Sequence, residues 1–278
     1  MIEILERKQE LGSGSYGVIY LCDVKINGEV IKNVVVKEIH LSKKIKQEDI
    51  EREIEILKRV QHNAHTVKFY GIIYEENVKI SIVMERLEEV DLYEDVGFSQ
   101  KIEIATQLLE GLSFIHKQGV VHSDIKPENI MIRSDSGKLV FTDFGLSCVN
   151  QLDSLDPNTR CKAAGSLAYV HPVIYFTLKK KYEVVGNKKH RTNFITDLYS
   201  LGTVLFVVFM GEKYLNFEYL VPEKMSDFKN HYQLQMERFE MEYNAYPELI
   251  GVMKELLNPL GRKNEAVYYL EKIKSVDM

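Results

Sequence analysis

His122-Ser123-Asp124-Ile125-Lys126-Pro127-Glu128-Asn129, followed by Asp143-Phe144-Gly145, puts two carboxylates, an ammonium and a carboxamide on short loops between β-branched runs. Pro127 fixes its φ, and Asn129 ends the loop before the strand-like run Ile130-Met131-Ile132. A turn over 134–137 leads to a second such run, Leu139-Val140-Phe141, which delivers Asp143. The pattern predicts a hairpin with a base, a cation and two hard oxygen ligands at one edge. Phosphoryl transfer uses those parts: a group that orients a hydroxyl, ligands for Mg²⁺, and positive charge beside the moving phosphate.

The segment resembles the catalytic core of the eukaryotic-type protein kinases. His122-Ser123-Asp124 stands where that family has His-Arg-Asp, and Asp143-Phe144-Gly145 matches its metal-binding triplet. The two motifs occur in order and at family-like spacing, a far more specific signal than either alone. The resemblance runs from Leu11 to about Lys274. It implies an α+β, bilobal fold in one kinase domain. A small β-rich lobe with one helix would cover about 1–84, a hinge about 85–91, and a larger, mainly helical lobe about 92–278.

Composition agrees with such a domain. The chain has 278 residues, 45% hydrophobic and 28% charged, enough to bury a core and keep a polar surface. A formal charge of −5 gives no support for a nucleic-acid-binding surface. The longest apolar run, Val204–Met210, is too short to span a bilayer, and the start lacks the basic-then-apolar pattern of a signal peptide. Cys22, Cys148 and Cys161 show no metal-ligand spacing, which suits a reducing compartment; the expected location is cytoplasmic.

Upstream, Leu11-Gly12-Ser13-Gly14-Ser15-Tyr16-Gly17 is a glycine-rich turn between strand-like segments. A dinucleotide fold would place a helix after the third glycine, whereas Val18–Val24 reads as a strand. Asn27-Gly28 is a tight hairpin signal, and the returning strand Asn33–Ile39 carries Lys37 among valines. A lysine there is costly to bury unless it is paired. Gln47–Val60 has apolar residues at helical spacing and carries Glu53. Segments 67–74 and 79–85 read as a second hairpin. Gln100–Lys117 and Thr196–Met210 read as helices, the second apolar all round, and Tyr246–Leu257 and Asn264–Ile273 as closing helices.

The resemblance then assigns roles. Backbone groups at Gly12, Gly14 and Gly17 would approach the ATP phosphates, Lys37 would grip the α- and β-phosphates, and Glu53 would pair with Lys37. Ile19, Val35 and Met131 would wall the adenine slot, with Met84 as gatekeeper. Glu85 and Leu87 would offer backbone hydrogen bonds to the base, and Asp91 would accept from a ribose hydroxyl. Asp124 would orient the acceptor hydroxyl, Lys126 would neutralise the γ-phosphate, and Asn129 and Asp143 would hold Mg²⁺, or Mn²⁺ in its place. Leu57, Phe69, Phe144 and His122 would form a buried stack between the lobes, and Asp197 would cap the catalytic-loop backbone. Lys126 and Ser166 point to a serine or threonine acceptor on a protein substrate. A scaffold without activity would be expected to have lost Lys37, Asp124, Asn129 or Asp143, all of which are present. A small-molecule phosphotransferase of related fold would not need Lys126, Pro127 or the 165–169 stretch.

Three departures from the family pattern stand out. Ser123 replaces the arginine that clamps an activation-loop phosphate, which predicts activity insensitive to loss of Ser147, Ser154 and Thr159. His171-Pro172-Val173 replaces Ala-Pro-Glu, so the glutamate's ion pair with a distal arginine, for which Arg262 is the nearest candidate, is absent. A basic segment, Leu178–Arg191, carries Lys179, Lys180, Lys181, Lys188, Lys189 and Arg191 and is a candidate docking site for an acidic partner.

Overall fold

The computed structural model describes residues 1–14, 17–42, 45–75, 79–149, 161–187, 189–211, 222–258 and 265–276. Ser15, Tyr16, Ser154, Thr159, Lys188 and Arg262 lie outside the described residues.

The first third is a five-stranded antiparallel sheet. Strands β1 (Ile2–Gly14), β2 (Gly17–Ile26), β3 (Glu29–His40), β4 (Phe69–Glu75) and β5 (Lys79–Met84) are ordered β1-β2-β3-β5-β4. Asn27 (φ 52°) and Gly28 (φ 99°) take the left-handed conformations that the tight β2–β3 turn requires. Residues directly opposite in a ladder share a face of the sheet. Ile19 pairs with Lys37 and Leu21 with Val35; across β3, Lys37 pairs with Ile82 and Val35 with Met84. These side chains therefore line one face. The alternate residues Cys22, Val34, Val36 and Val83 pack into a separate apolar cluster on the other.

Helix α1 (Gln47–Val60) lies between β3 and β4 and buries Ile50, Glu53, Ile54, Ile56, Leu57 and Val60. Its bounds are those expected from the apolar spacing. After β5 the chain passes through Glu85–Leu87 into a short strand, β6 (Glu88–Glu89). The larger part follows: α2 (Phe98–Lys117), β7 (Val120–Val121), β8 (Ile130–Arg133), β9 (Lys138–Phe141) and β10 (Cys148–Val149). Then come α3 (Pro172–Leu178), α4 (Phe194–Met210), α5 (Met225–Glu242), α6 (Pro247–Leu257) and α7 (Ala266–Lys274).

Several bounds differ from the expected ones, for local reasons. Helix α4 starts two residues early because Asn193 caps it: its side chain accepts from the Thr196 N–H, and the Thr196 hydroxyl accepts from the Asn193 N–H. Helix α6 starts at Pro247, a residue suited to a first helical turn because it has no N–H to leave unpaired. The strand expected over 33–39 extends back to Glu29 because β2 pairs with it from Glu29 to Glu38, across a register shift at 32–33. As expected from its composition, α4 is buried nearly all round, with 14 buried residues from Thr196 to Phe209. No helix among the described residues is long and apolar enough to cross a membrane.

One core runs through both parts of the molecule. It joins Leu57, Val67 and Phe69 from the sheet side to Leu108, Phe141, Phe144 and most of α4. The α1–β4 connection is docked on the β8–β9 hairpin. Val67 N–H donates to the Phe141 carbonyl (3.2 Å), Phe141 N–H donates to the His65 carbonyl (2.9 Å), and His65 Nδ1 bonds to the Leu139 carbonyl (2.9 Å).

By their spacing the three cysteines suit a reducing compartment, and the structure pairs two of them. Cys148 and Cys161 form a disulfide, and Cys22 is buried and free. The spacing of 13 carried no signal, because a bridge depends on where the chain returns in space.

Candidate active site

Three short segments meet beside the cleft face of the sheet. The first contact is Lys37 on β3. It is buried, at 8% exposure, and its Nζ lies 2.7 Å from Glu53 Oε1 of α1 and 3.3 Å from Asp143 Oδ1. Burial works against the ammonium, but the Glu53 and Asp143 carboxylates outweigh it and hold the Lys37 pKa above its usual value. Asp143 shows the mirror case. Burial would raise its pKa, but Lys37, with smaller help from His122 and the Gly145 N–H, brings it below the usual carboxylate value. Lys37 and Asp143, both expected at the nucleotide phosphates, are therefore in contact.

The second contact is the catalytic-loop cluster. Asp124, 7% exposed, has both carboxylate oxygens engaged. Oδ1 accepts from the Ser166 N–H and hydroxyl, each at 2.8 Å. Oδ2 accepts from Asn129 Nδ2 at 3.1 Å and lies 3.2 Å from Lys126 Nζ. Lys126 Nζ also donates to the Ser166 hydroxyl (3.0 Å). These donors hold the carboxylate in one orientation and bring the expected residues Asp124, Lys126 and Asn129 together with Ser166.

The loop is held from behind by Asp197 of α4, as expected. Its Oδ2 accepts from the His122 N–H (2.7 Å) and its Oδ1 from the Ser123 N–H (2.9 Å). His116 Nε2 lies 3.1 Å from Oδ2. Two residues on this frame, Ser123 (φ 70°) and Asp143 (φ 56°), sit in the left-handed region that non-glycine residues rarely adopt. Such backbone strain persists only where surrounding contacts fix it, and it concentrates at functional sites. His122 and Phe144 pack with ring centroids 4.9 Å apart, and Leu57, Phe69, Phe144 and His122 are all buried, as expected of an interlobe stack.

The expected nucleotide residues lie on β1, β2, β3, β5 and β8 and on the segment after β5. Gly12 pairs with Ile19 and Gly14 with Gly17 at the turn end of the β1–β2 hairpin. Gly17 has φ 140°, and a Cβ there would lie 2.1 Å from the Glu38 carbonyl oxygen, so only glycine fits. Ile19, Val35, Met84 and Met131 are all half-buried, as walls of an open slot should be. Glu85 N–H donates to the Lys68 carbonyl (3.0 Å). Leu87 follows two residues on and is buried. Asp91 is exposed, and its Oδ1 accepts from the Tyr93 N–H (2.8 Å).

The residues also suit Mg²⁺. Asn129 Nδ2 donates to the Asp124 carbonyl (2.9 Å) as well as its carboxylate, so the remaining polar atom of the Asn129 side chain is its oxygen. Asp143 adds a carboxylate that is 47% exposed. Among the described residues no cluster of three or more acidic, histidine or cysteine side chains could hold a metal alone. Mg²⁺ commonly takes one or two protein oxygens and completes its shell with phosphate and water.

Other contacts at the site were not legible in the sequence. The Ser123 hydroxyl, at the position of the family's arginine, donates to Thr192 Oγ1 (2.9 Å), which donates to the Lys162 carbonyl (2.9 Å). Arg133 forks onto Glu85 (2.9 and 2.6 Å) and donates to the Ala64 carbonyl (2.7 Å), tying the hinge to the β8–β9 hairpin. His171 caps α3 through Nδ1, which accepts from the Val173 N–H (3.3 Å), and packs edge-on against Tyr199 (5.0 Å). Val173, which stands at the position of the family's glutamate, is half-buried and packs against the core. Ser147 is 2% exposed and donates to the His122 carbonyl (2.8 Å), so it is a structural hydroxyl, not an accessible phosphate acceptor. Periodicity reports none of these contacts, and most of them join positions far apart in the chain.

Comparison with known proteins agrees with this geometry. A family model described as "Protein kinase domain" matches residues 5–265. The chain is 32% identical over 231 residues to the probable serine/threonine-protein kinase fhkA of Dictyostelium discoideum, covering 73% of this chain and 37% of that protein. It is 30% identical over 219 residues to the Aurora kinase of Schizosaccharomyces pombe, covering 76% of this chain and 55% of that protein. The chain thus spans between about a third and a little over half of these relatives. A solved chain of the CAK complex from Chaetomium thermophilum bound to ATP-gamma-S has the same fold, with a TM-score of 0.70 at 18% identity, over 95% of this chain and 88% of that one. A sheet-borne lysine paired with a helix glutamate, over a His-Ser-Asp loop and an Asp-Phe-Gly turn, leads with the family match to one conclusion: the chain belongs to the protein kinase family.

Proposed function

We propose that this chain is an ATP-dependent protein serine/threonine kinase that moves the γ-phosphate of ATP to a serine or threonine hydroxyl. The observation that carries this is the contact of Lys37 with both Glu53 and Asp143, beside an Asp124 carboxylate oriented by Lys126, Asn129 and Ser166. Lys37, pre-positioned by Glu53, binds the inner phosphates. Asp124 orients the acceptor hydroxyl and accepts its proton as the bond to phosphorus forms. Lys126 neutralises charge on the transferring group. Mg²⁺ bound by Asn129 Oδ1 and Asp143 would supply further charge neutralisation among the phosphates. The adenine would lie between Ile19 and Val35 above and Met131 below, beside Met84, with hydrogen bonds to the Glu85 carbonyl and the Leu87 backbone. Asp91 would serve the ribose.

The test is incubation with γ-labelled ATP, Mg²⁺ and generic protein substrates, beside Asp143→Ala. Label on serine or threonine that disappears in the variant supports the proposal. ATP binding without transfer indicates a scaffold, and label confined to small hydroxylated molecules indicates a different acceptor.

Activity without activation-loop phosphorylation is part of this proposal. It is supported by Ser123, whose hydroxyl is bonded to Thr192 and offers no cationic fork for a phosphate. Because Ser147 is buried, the informative variant is Ser154→Ala with Thr159→Ala, which should keep activity within about threefold of wild type; a loss of tenfold or more would refute it. The basic segment remains a candidate for binding acidic stretches of substrates. Lys179, Lys180, Lys189 and Arg191 are exposed, while Lys181 is paired with Glu223 at 2.8 Å. Lys179→Glu with Lys180→Glu should raise KM for an acidic protein substrate and leave that for a neutral peptide unchanged; equal effects on both would discount the site.

A further inference from the structure

The disulfide lies where an arginine-bearing kinase would hold its activation segment by charge. Cys148, on β10, pairs across the two-residue ladder with Val121, next to His122-Ser123-Asp124. Its Sγ is 3.8 Å from the Ser123 hydroxyl. Cys161, 13 residues on, is joined to it and packs in a small apolar cluster with Val121, Cys148 and Phe194. From Cys161 the chain is fixed at successive points. The Lys162 carbonyl accepts from Thr192 Oγ1 (2.9 Å) and from the Thr192 N–H (3.2 Å), and Thr192 in turn is bonded to Ser123. Gly165 has φ 119°, and a Cβ there would lie 2.6 Å from the Ser123 carbonyl oxygen, so the backbone is pressed against the catalytic loop. Ser166 then makes its two bonds to Asp124. The path from sulfur bridge to catalytic carboxylate is five residues long, and Ser123, Thr192 and Asp124 hold it from the loop side.

We propose that Cys148 and Cys161 are a reversible redox modification site, a clasp that holds the 161–166 segment against the catalytic loop so that the oxidised chain phosphorylates peptides faster than the reduced one. The proposal rests on the kinase reading above. In this chain a covalent bond does what a phosphate held by arginine does elsewhere, and the neutral Ser123 is compatible with a sulfur at 3.8 Å where a guanidinium would need a charged partner. The reactant is a low-molecular-weight thiol–disulfide couple such as glutathione. One cysteine thiolate attacks glutathione disulfide and releases one glutathione thiolate. The second cysteine, losing its proton, displaces the other glutathione from the mixed disulfide. The pair loses two electrons and two protons, and two glutathione molecules are formed. In a reducing cytoplasm the bond is then a transient signal, whereas in an oxidising setting it persists.

The clasp acts on the peptide side of the site. The Lys37–Glu53–Asp143 contact does not pass through it, so ATP binding should be indifferent to its state. The experiment uses the full chain with Cys22→Ser, so that only the proposed pair can react. The protein is equilibrated with oxidised glutathione, then with dithiothreitol, then reoxidised, and the thiol state at each stage is read by alkylation and mass spectrometry. Reduction should lower kcat/KM for a peptide at least fivefold, reoxidation should restore it, and the Kd for ATP should move less than twofold. Cys148→Ser with Cys161→Ser should remain at the reduced level under all conditions. The same cycle run on the unsubstituted chain needs no variant to fold and should give the same fall and recovery. Two thiols that stay free in oxidised glutathione, a bond that dithiothreitol does not open, or peptide activity indifferent to the redox state would each overturn the clasp. If Asp143-dependent labelling is missing in every redox state, the kinase reading falls and the clasp with it; labelling that persists unchanged removes the clasp alone.

Discussion

Lys37 and Glu53 are the pair whose removal most clearly separates stability from catalysis. Both are nearly buried, at 8% and 5% exposure, and their charged atoms are 2.7 Å apart. At an effective dielectric of about 20, two unit charges at that distance attract by about 6 kcal/mol, most of which offsets the cost of taking both out of water. Removing one partner leaves the other charge buried and uncompensated, a loss of about 3–5 kcal/mol. Glu53→Leu should sit at the lower end, about 3 kcal/mol, because Lys37 keeps Asp143 at 3.3 Å. Lys37→Met should cost about 4 kcal/mol, because no second cation among the described contacts reaches Glu53. The double variant replaces the pair with apolar side chains of similar size and should lose about 1 kcal/mol or less. The chain has no tryptophan, so urea unfolding is best followed by far-UV circular dichroism, with the m-value held as a check. All three variants should lose at least about a hundredfold in kcat, as is typical when a group aimed at transition-state charge is removed. A double variant that loses the sum of the two single effects, about 7 kcal/mol, would refute the coupling.

Further outcomes follow from the same contacts. Asp143 has a lowered pKa, so its contribution is present above the usual carboxylate value and lost as pH falls through the depressed one; Lys37 has a raised pKa, so its contribution is present below the usual lysine value and lost as pH rises through the raised one. The stability difference between wild type and Lys37→Met should therefore be flat between about pH 5 and pH 9 and shrink outside that window; a slope within it in parallel urea titrations would contradict the assignment. Asp197→Ala strands two buried N–H donors, those of His122 and Ser123, and should cost about 3 kcal/mol by the same unfolding measurement; a loss under 1 kcal/mol would mean other acceptors take over. Ser166→Ala removes a hydroxyl bonded to both Asp124 and Lys126 and should lower kcat about tenfold with little change in the KM for ATP, with Ser166→Thr restoring most of it; an unchanged kcat in steady-state assays would remove Ser166 from the site.

What could be read from the sequence was what local pattern and motif order encode. Helix α1 was legible to the residue because Ile50, Ile54 and Leu57 recur at helical spacing, and the β8–β9 hairpin because two β-branched runs flank a turn. Lys37, Glu53, Asp124, Asn129 and Asp143 were legible because a family pattern orders them, since no periodicity links a strand lysine to a helix glutamate. Contacts between ordinary residue types stayed hidden. Arg133 meets Glu85 across 48 positions and Ser123 meets Thr192 across 69, and nothing in either local sequence marks the partner. The disulfide stayed hidden for a related reason: a spacing of 13 says nothing until the fold returns Cys161 to Cys148. The burial of Ser147 stayed hidden as well, because its hydroxyl meets the His122 carbonyl 25 positions away.

The central claim is that Lys37 from the sheet and Asn129 and Asp143 from the helical part converge on one metal-bound triphosphate. Calorimetric titration with a non-hydrolysable ATP analogue, with and without Mg²⁺, in wild type and in Asp143→Ala, addresses it most directly. Mg²⁺ should strengthen binding at least tenfold in wild type, about 1.4 kcal/mol, and less than twofold in the variant. An equal gain from Mg²⁺ in both proteins would contradict the account.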